Sequence, residues 1–258
     1  MVDKDNSTLL ATQVNDIQQW FDSELGGELL DAQKRAINRL LPNLFGYHLV
    51  EVAINPNMAL CDQSLIGHKV IISEQHQLGL CDRSVLCLAT ELPFEQNSVD
   101  VVLLHHSLDF TENPHQVLRE AIRVLRPGGH LLVVGFNPSS WWGLQRVCKR
   151  KACTPWSQGQ FISQSRLADW MSLLGLTQLR LITDYYLPPI KSRKWRARFE
   201  KFQAYGRRSL PKNGAFTVTL ARKDVEGMTP VKHIKFSRKF YTLPVRKPAT
   251  RDLIRERS

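Results

Sequence analysis

Two histidines in tandem, His105-His106, close an apolar run that begins at Val99, and Asn137-Pro138 closes the following one, His130 to Phe136. An imidazole in such a place can orient or deprotonate a substrate, because its ordinary pKa lies close to neutrality. It also reads as a solvated group at a strand end. The amide of Asn137 can hold a substrate or simply cap a turn. Asp109, four residues past His105, can reach the pocket, but a capping or surface role is the expectation. Trp141 and Trp142 come next; adjacent side chains on a helix diverge by about 100°, so at most one of them walls a pocket while the other packs. The five cysteines, at positions 61, 81, 87, 148 and 153, form no CxxC pair and have no histidine at zinc-finger spacing. They read as reduced thiols, and no metal site is expected.

Residues of this kind need a scaffold that brings strand ends together, and the pattern supplies one. Short β-branched runs alternate with helical periods, the mark of βαβ units and a mostly parallel sheet. Strands are expected at about 48–54, 68–73, 84–89, 99–105, 130–136, 178–186 and 215–222. The run Val99 to His105 is apolar nearly throughout, as a strand covered on both faces must be. Leu29, Leu30, Gln33, Ile37, Leu40 and Leu41 share one face of a helix that Pro42 is expected to end. Asn113-Pro114 opens a second helix carrying Val117, Leu118, Ala121, Ile122 and Leu125, and Pro127-Gly128-Gly129 is expected to stop it and turn the chain. Ser140 can cap a short helix through Val147. A last helix is expected over 165–174, with Gly175 as its left-handed cap. In sum the fold class is α/β, a doubly wound, mostly parallel seven-stranded sheet.

Charge divides the chain. Residues 1–188 hold 15 Lys and Arg against 19 Asp and Glu, whereas residues 189–258 hold 20 against 5. The expected organisation is a domain over 1–223 and a basic, flexible tail over 224–258. Lys191 to Phe199 and Lys235 to Tyr241 interleave cations with aromatics, which suits phosphate pairing and base stacking on RNA or another polyanion. A solvated basic face explains the same composition. No apolar run approaches the length of a membrane span and no leader pattern opens the sequence, so a cytoplasmic protein is expected.

From Ala89 to Val101 the chain reads Ala-Thr-Glu-Leu-Pro-Phe-Glu-Gln-Asn-Ser-Val-Asp-Val, and from Leu118 it reads Leu-Arg-Glu-Ala-Ile-Arg-Val-Leu-Arg-Pro-Gly-Gly-His-Leu-Leu. These long segments resemble the type-11 branch of class I S-adenosylmethionine (SAM)-dependent methyltransferases. Gly135-Phe136-Asn137-Pro138-Ser139 with Gly143-Leu144, and Phe45-Gly46-Tyr47-His48-Leu49, are similar to the YafS-type proteobacterial subgroup. The resemblance implies a Rossmann-like methyltransferase domain that binds SAM and methylates an acceptor it does not specify. It also places cofactor contacts at Glu51, Ala53, Asn55, Asn57, Glu74 and Ala89.

Within that resemblance lies a departure. Where the family carries an acid and three glycines after the first strand, this chain reads Glu51-Val52-Ala53-Ile54-Asn55-Pro56-Asn57. The acid is kept and the glycines are gone. Asparagine is the non-glycine residue that best tolerates a left-handed backbone, so Asn55 and Asn57 are expected to preserve the turn with a bulkier surface. Glu74, one residue past the second strand, is the expected partner of the ribose hydroxyls. The acid expected before Ala89 is Leu88. Loss of the glycines leaves a second reading open: a non-catalytic methyltransferase-fold protein that acts through its basic C-terminal region.

Overall fold

The computed structural model describes residues 12, 14–58, 60–74, 80–148, 154–190 and 192–224. A helix over 14–21 (α1) and α2 (Glu24–Asn38) precede the sheet. Its strands are β1 (His48–Ala53), β2 (His68–Ser73), β3 (Ser84–Leu86), β4 (Val99–His105), β5 (Leu125–Phe136), β6 (Leu176–Asp184) and β7 (Phe216–Lys223). They lie in the order β3-β2-β1-β4-β5-β7-β6. The first five run parallel, and β7 is antiparallel to both β5 and β6. Between strands come α3 (Pro114–Val124), α4 (Trp141–Cys148), α5 (Gln164–Leu173) and α6 (Arg193–Ser209).

The period-2 geometry of a strand sends successive side chains to opposite faces, and β4 shows the consequence. Val101 and Leu103 join one core with Phe21, Leu29, Ile37 and Trp142, while Val102 and Leu104 join the other with Val117, Leu118 and Ala121. Helices therefore cover both faces. Asp100, at the foot of β4, ties three strands together. Its Oδ2 accepts from the amides of Tyr47 and His48 at 2.8 and 2.9 Å, and its Oδ1 accepts from Arg126 at 2.9 Å.

Several boundaries differ from those expected, each for a physical reason. Pro127-Gly128-Gly129 does not stop α3: the helix ends at Val124, and the Pro-Gly-Gly segment bulges inside β5, with Gly128 at φ +81°. The register shift opposite Val99 and Val101 absorbs the extra residues. Pro42 does not end α2, which stops at Asn38; it sits in a 3-10 turn, Leu41–Asn43. β3 stops at Leu86, and β6 ends at Asp184 because Tyr185 adopts φ +63°. Gly175 caps α5 at φ +76° as its position predicts. The expected tail lies, from 225 onward, outside the described residues. Among the described residues no helix is long and apolar enough to cross a membrane.

Candidate active site

The strand order reverses at β1 and β4, and in open α/β sheets ligands bind outside the carboxyl ends of the strands at that point. A cleft opens there. Ala53, Ile54 and Pro56 come from the end of β1, Ile72, Ser73 and Glu74 from β2, and Ser107, Phe110 and Thr111 from the segment after β4. Val14 and Gln18 of α1 close it. Gln18 Nε2 donates to the carbonyl of Ile54 at 2.6 Å, so α1 grips the loop that floors the cleft.

That loop keeps its turn without the glycines, but not by the expected means. The non-glycine residues with positive φ, among those described, are Asn97, His106 and Tyr185; Asn55 and Asn57 are not left-handed. Instead Asn55 Oδ1 accepts the amide of Asn57 at 3.0 Å, an Asx turn that leads into the 3-10 turn Pro56–Met58. Asn57 then faces a second hollow, which it shares with Glu51, Cys61, Cys81 and Lys69. Glu51 is buried beside Cys61 and accepts weakly from the amide of Leu60 at 3.4 Å; burial pushes its carboxyl above the usual range. Of the expected cofactor residues, the cleft thus gathers Ala53 and Glu74 directly. Ala89 acts through its backbone, its amide donating to Glu74 Oε1 at 3.0 Å.

The histidine pair is neither solvated nor in the cleft. His105 and His106 are both fully buried, and a chain of hydrogen bonds runs behind the cleft wall. His105 Nε2 lies 2.9 Å from Gln33 Oε1, Gln33 Nε2 lies 2.8 Å from His106 Nε2, and His106 Nδ1 lies 2.7 Å from Asp109 Oδ2. One amide sets the direction of all three. If its oxygen takes the His105 proton, its nitrogen donates to His106, whose other nitrogen donates to Asp109. Asp109 Oδ2 also accepts the amide of Phe136 at 2.9 Å. The expected surface or capping role of Asp109 is corrected: it is buried and anchors the His106 turn to β5. Burial pushes His106 down to about 3 and His105 well below its ordinary value, so both rings are neutral.

This neutrality has a sign in stability. Below about pH 6.5 the unfolded chain protonates these rings and the fold does not, so stability is lost as the pH falls. Replacing His105 by leucine removes one titrating group. Unfolding free energies from urea titrations between about pH 6.5 and 5 are expected to fall less steeply in His105→Leu than in the parent, by up to about 1.4 kcal/mol per pH unit. Parallel slopes would show that His105 is not held neutral.

His106 itself sits at φ +54°, a costly backbone for a bulky residue. The turn leads directly into Ser107, which lines the cleft; its Oγ is buried and has no hydrogen-bond partner in the protein. A buried hydroxyl without a protein partner calls for one from outside the chain, a water or a ligand. Sequence reading missed Ser107, Phe110 and Gln18, but Gln33 carried a visible signal: a polar residue on the apolar face of α2.

A sequence profile of the methyltransferase domain matches residues 35–133. The Escherichia coli (strain K12) protein YafS is 32% identical over 170 residues, which are 66% of this chain and 69% of YafS. The chain belongs to the class I SAM-dependent methyltransferase family. It is similar also to the ubiquinone/menaquinone biosynthesis C-methyltransferase UbiE of Ruegeria sp. (strain TM1040), 36% identical over 75 residues, 29% of this chain and 30% of that one. Among solved structures, a SAM-dependent methyltransferase from Thermotoga maritima superposes with a TM-score of 0.61 at 20% identity, covering 82% of this chain and 96% of that one. The fold is that of SAM-binding methyltransferases.

The remaining expectations for this family member fall outside the cleft. Asn137 is buried and its amide is fully engaged: Nδ2 donates to the carbonyls of Lys212 and Gly214 at 2.7 and 2.8 Å, and Oδ1 accepts from Ser139 at 3.1 Å. It caps the turn, and neither Asn137 nor His105 reaches the cleft as a catalytic group. Trp142 is fully buried and donates to the carbonyl of Leu187 at 3.0 Å, whereas Trp141 is 57% exposed. In α6, Arg196 is not a free surface cation. It is 3% exposed and pairs with Glu24 and Glu28 at 3.1 and 3.0 Å. That pairing pins α6 to α2 and removes Arg196 from any solvated basic face.

Proposed function

We propose that the cleft holds SAM and that the chain transfers its methyl group to an acceptor reached through the same opening. The juxtaposition of Glu74 and Ser107 across an apolar floor supports the reading. With Oε1 held by Ala89, Glu74 keeps Oε2 for the ribose hydroxyls, the role that the family resemblance assigns it. Val52, Ala53, Ile54 and Ile72 offer apolar surface for the rest of the nucleoside, and the unpartnered Ser107 hydroxyl can bind the amino-acid end. When bound, SAM supplies an electrophilic methyl on a sulfonium. What the protein contributes is position and exclusion of water. Among the described lining residues Glu74 is the one ionisable side chain, and the neutral His105–Gln33–His106–Asp109 chain stiffens the wall rather than moving a proton to substrate. The free thiols of Cys61, Cys81, Cys87 and Cys148 fit a reducing compartment, the cytoplasm.

Titration calorimetry of the full chain with SAM and with S-adenosylhomocysteine tests the reading. One-to-one binding of both is expected. No heat and no thermal shift at millimolar ligand would return the chain to a methyltransferase-fold binding protein without cofactor.

A further inference from the structure

We infer that this protein docks on anionic phospholipid bilayers through the outer face of α4 and the turn after α6. The inference goes beyond the methyl-transfer reading and does not depend on it.

Three observations carry it. First, α4 turns a large apolar face outward: Trp141, Leu144 and Val147 are 57, 51 and 69% exposed, and Leu210 beside them is 48% exposed. With Pro138 and Gly143 they line one groove. Single exposed apolar residues mean little, but a contiguous patch marks a contact surface. Second, the patch is presented rigidly. The adjacent Trp142 is locked in the core, Ser140 Oγ accepts the amide of Gly143 at 3.1 Å, and a Cβ at Gly143 would collide with the backbone of Pro138. Asn137 fixes the facing turn by holding the carbonyls of Lys212 and Gly214. The helix cannot roll its apolar side inward.

Third, the charge around the patch has one sign. Arg208 and Lys212, which flank Leu210 along the chain, are exposed, and no Asp or Glu is among the residues that line the groove. Residues 121–168 contain no Asp or Glu at all. Tryptophan and aliphatic side chains flanked by cations match the boundary between acyl chains and anionic headgroups. A second copy of the chain would bring these cations against their own kind. The patch also leaves the same carboxyl edge of the sheet as the cleft, since α4 follows β5 and the Lys212 turn leads into β7. Docking would bring that edge to the membrane.

Vesicle flotation of the full chain tests this, with phosphatidylcholine alone and with phosphatidylglycerol added. Binding is expected on the anionic vesicles, weakened by salt. The double variant Trp141→Asp with Leu144→Asp is expected to lose at least tenfold in partitioning, since it withdraws two large apolar side chains. Its SAM affinity and melting temperature should stay those of the parent. No flotation with anionic vesicles overturns the inference. So does a double variant that floats as well as the parent, or RNA retention that outcompetes vesicles and ignores the substitutions, which would make the cations a polyanion surface instead. A parent that floats yet shows no heat with SAM would overturn the functional reading alone.

Discussion

Replacing Trp142 by alanine is expected to cost about 3–5 kcal/mol of stability, the range for deleting a fully buried aromatic. For a domain of this size that corresponds to a drop in melting temperature on the order of 10 °C. The size of the effect follows from its place in the core. Trp142 packs within 6.3 Å, centroid to centroid, of Trp20, Trp156, Phe136 and Tyr185. Those rings come from α1, the 3-10 turn at Pro155–Gln158, the end of β5 and the end of β6. Its indole N–H also satisfies the carbonyl of Leu187. Trp142→Phe separates the two contributions, because it keeps a ring and loses the donor; a smaller loss of about 1–3 kcal/mol is expected. Chemical denaturation of the two variants checks this. A loss below about 1 kcal/mol in Trp142→Ala would mean that the aromatic cluster is not a structural centre.

Glu74→Ala is expected to weaken SAM binding at least tenfold while leaving the fold intact. A hydrogen bond to a charged group is worth about 1.5–3 kcal/mol, and solvent at the exposed strand end brings the expectation toward the lower figure. Calorimetry gives the affinity directly. Glu74→Gln should fall between, since its amide oxygen can still accept from Ala89 or from ribose but without charge. An unchanged affinity in Glu74→Ala would remove Glu74 from the site and leave the apolar floor and Ser107 to hold the cofactor.

Much of the fold was legible because it rests on local chemistry. The run Val99 to His105 could only be a strand buried on both faces, and the Arg-Pro-Gly-Gly segment with the Leu-Pro-Phe segment pointed to the family. Glu74 and Ala53, which the family resemblance named, both line the cleft because the ends of parallel strands share one edge of the sheet. The Pro-Gly-Gly stop was misread because a turn signature is also what a β-bulge needs, and only the pairing with β4 decides between them. α6 was not legible as a helix at all: its cations suggested a solvated segment, whereas the Arg196 pairs with Glu24 and Glu28 join residues more than 160 positions apart.

Sequence by itself determined the succession of the seven strands, the lost glycines and the uneven charge, since each depends on residues close together along the chain. Tertiary structure alone decided which polar groups face the cleft. The imidazoles of His105 and His106 looked like catalytic or solvated groups until α2 placed Gln33 between them, and Asn137 looked like a substrate ligand until the turn before β7 took its amide. The two tryptophans of α4 are chemically identical neighbours, yet one lies in the core and the other in solvent. The physical reason is common to all of these. Burial and hydrogen-bond partnership are properties of distant segments brought together, and a side chain's protonation and availability follow from them rather than from its type.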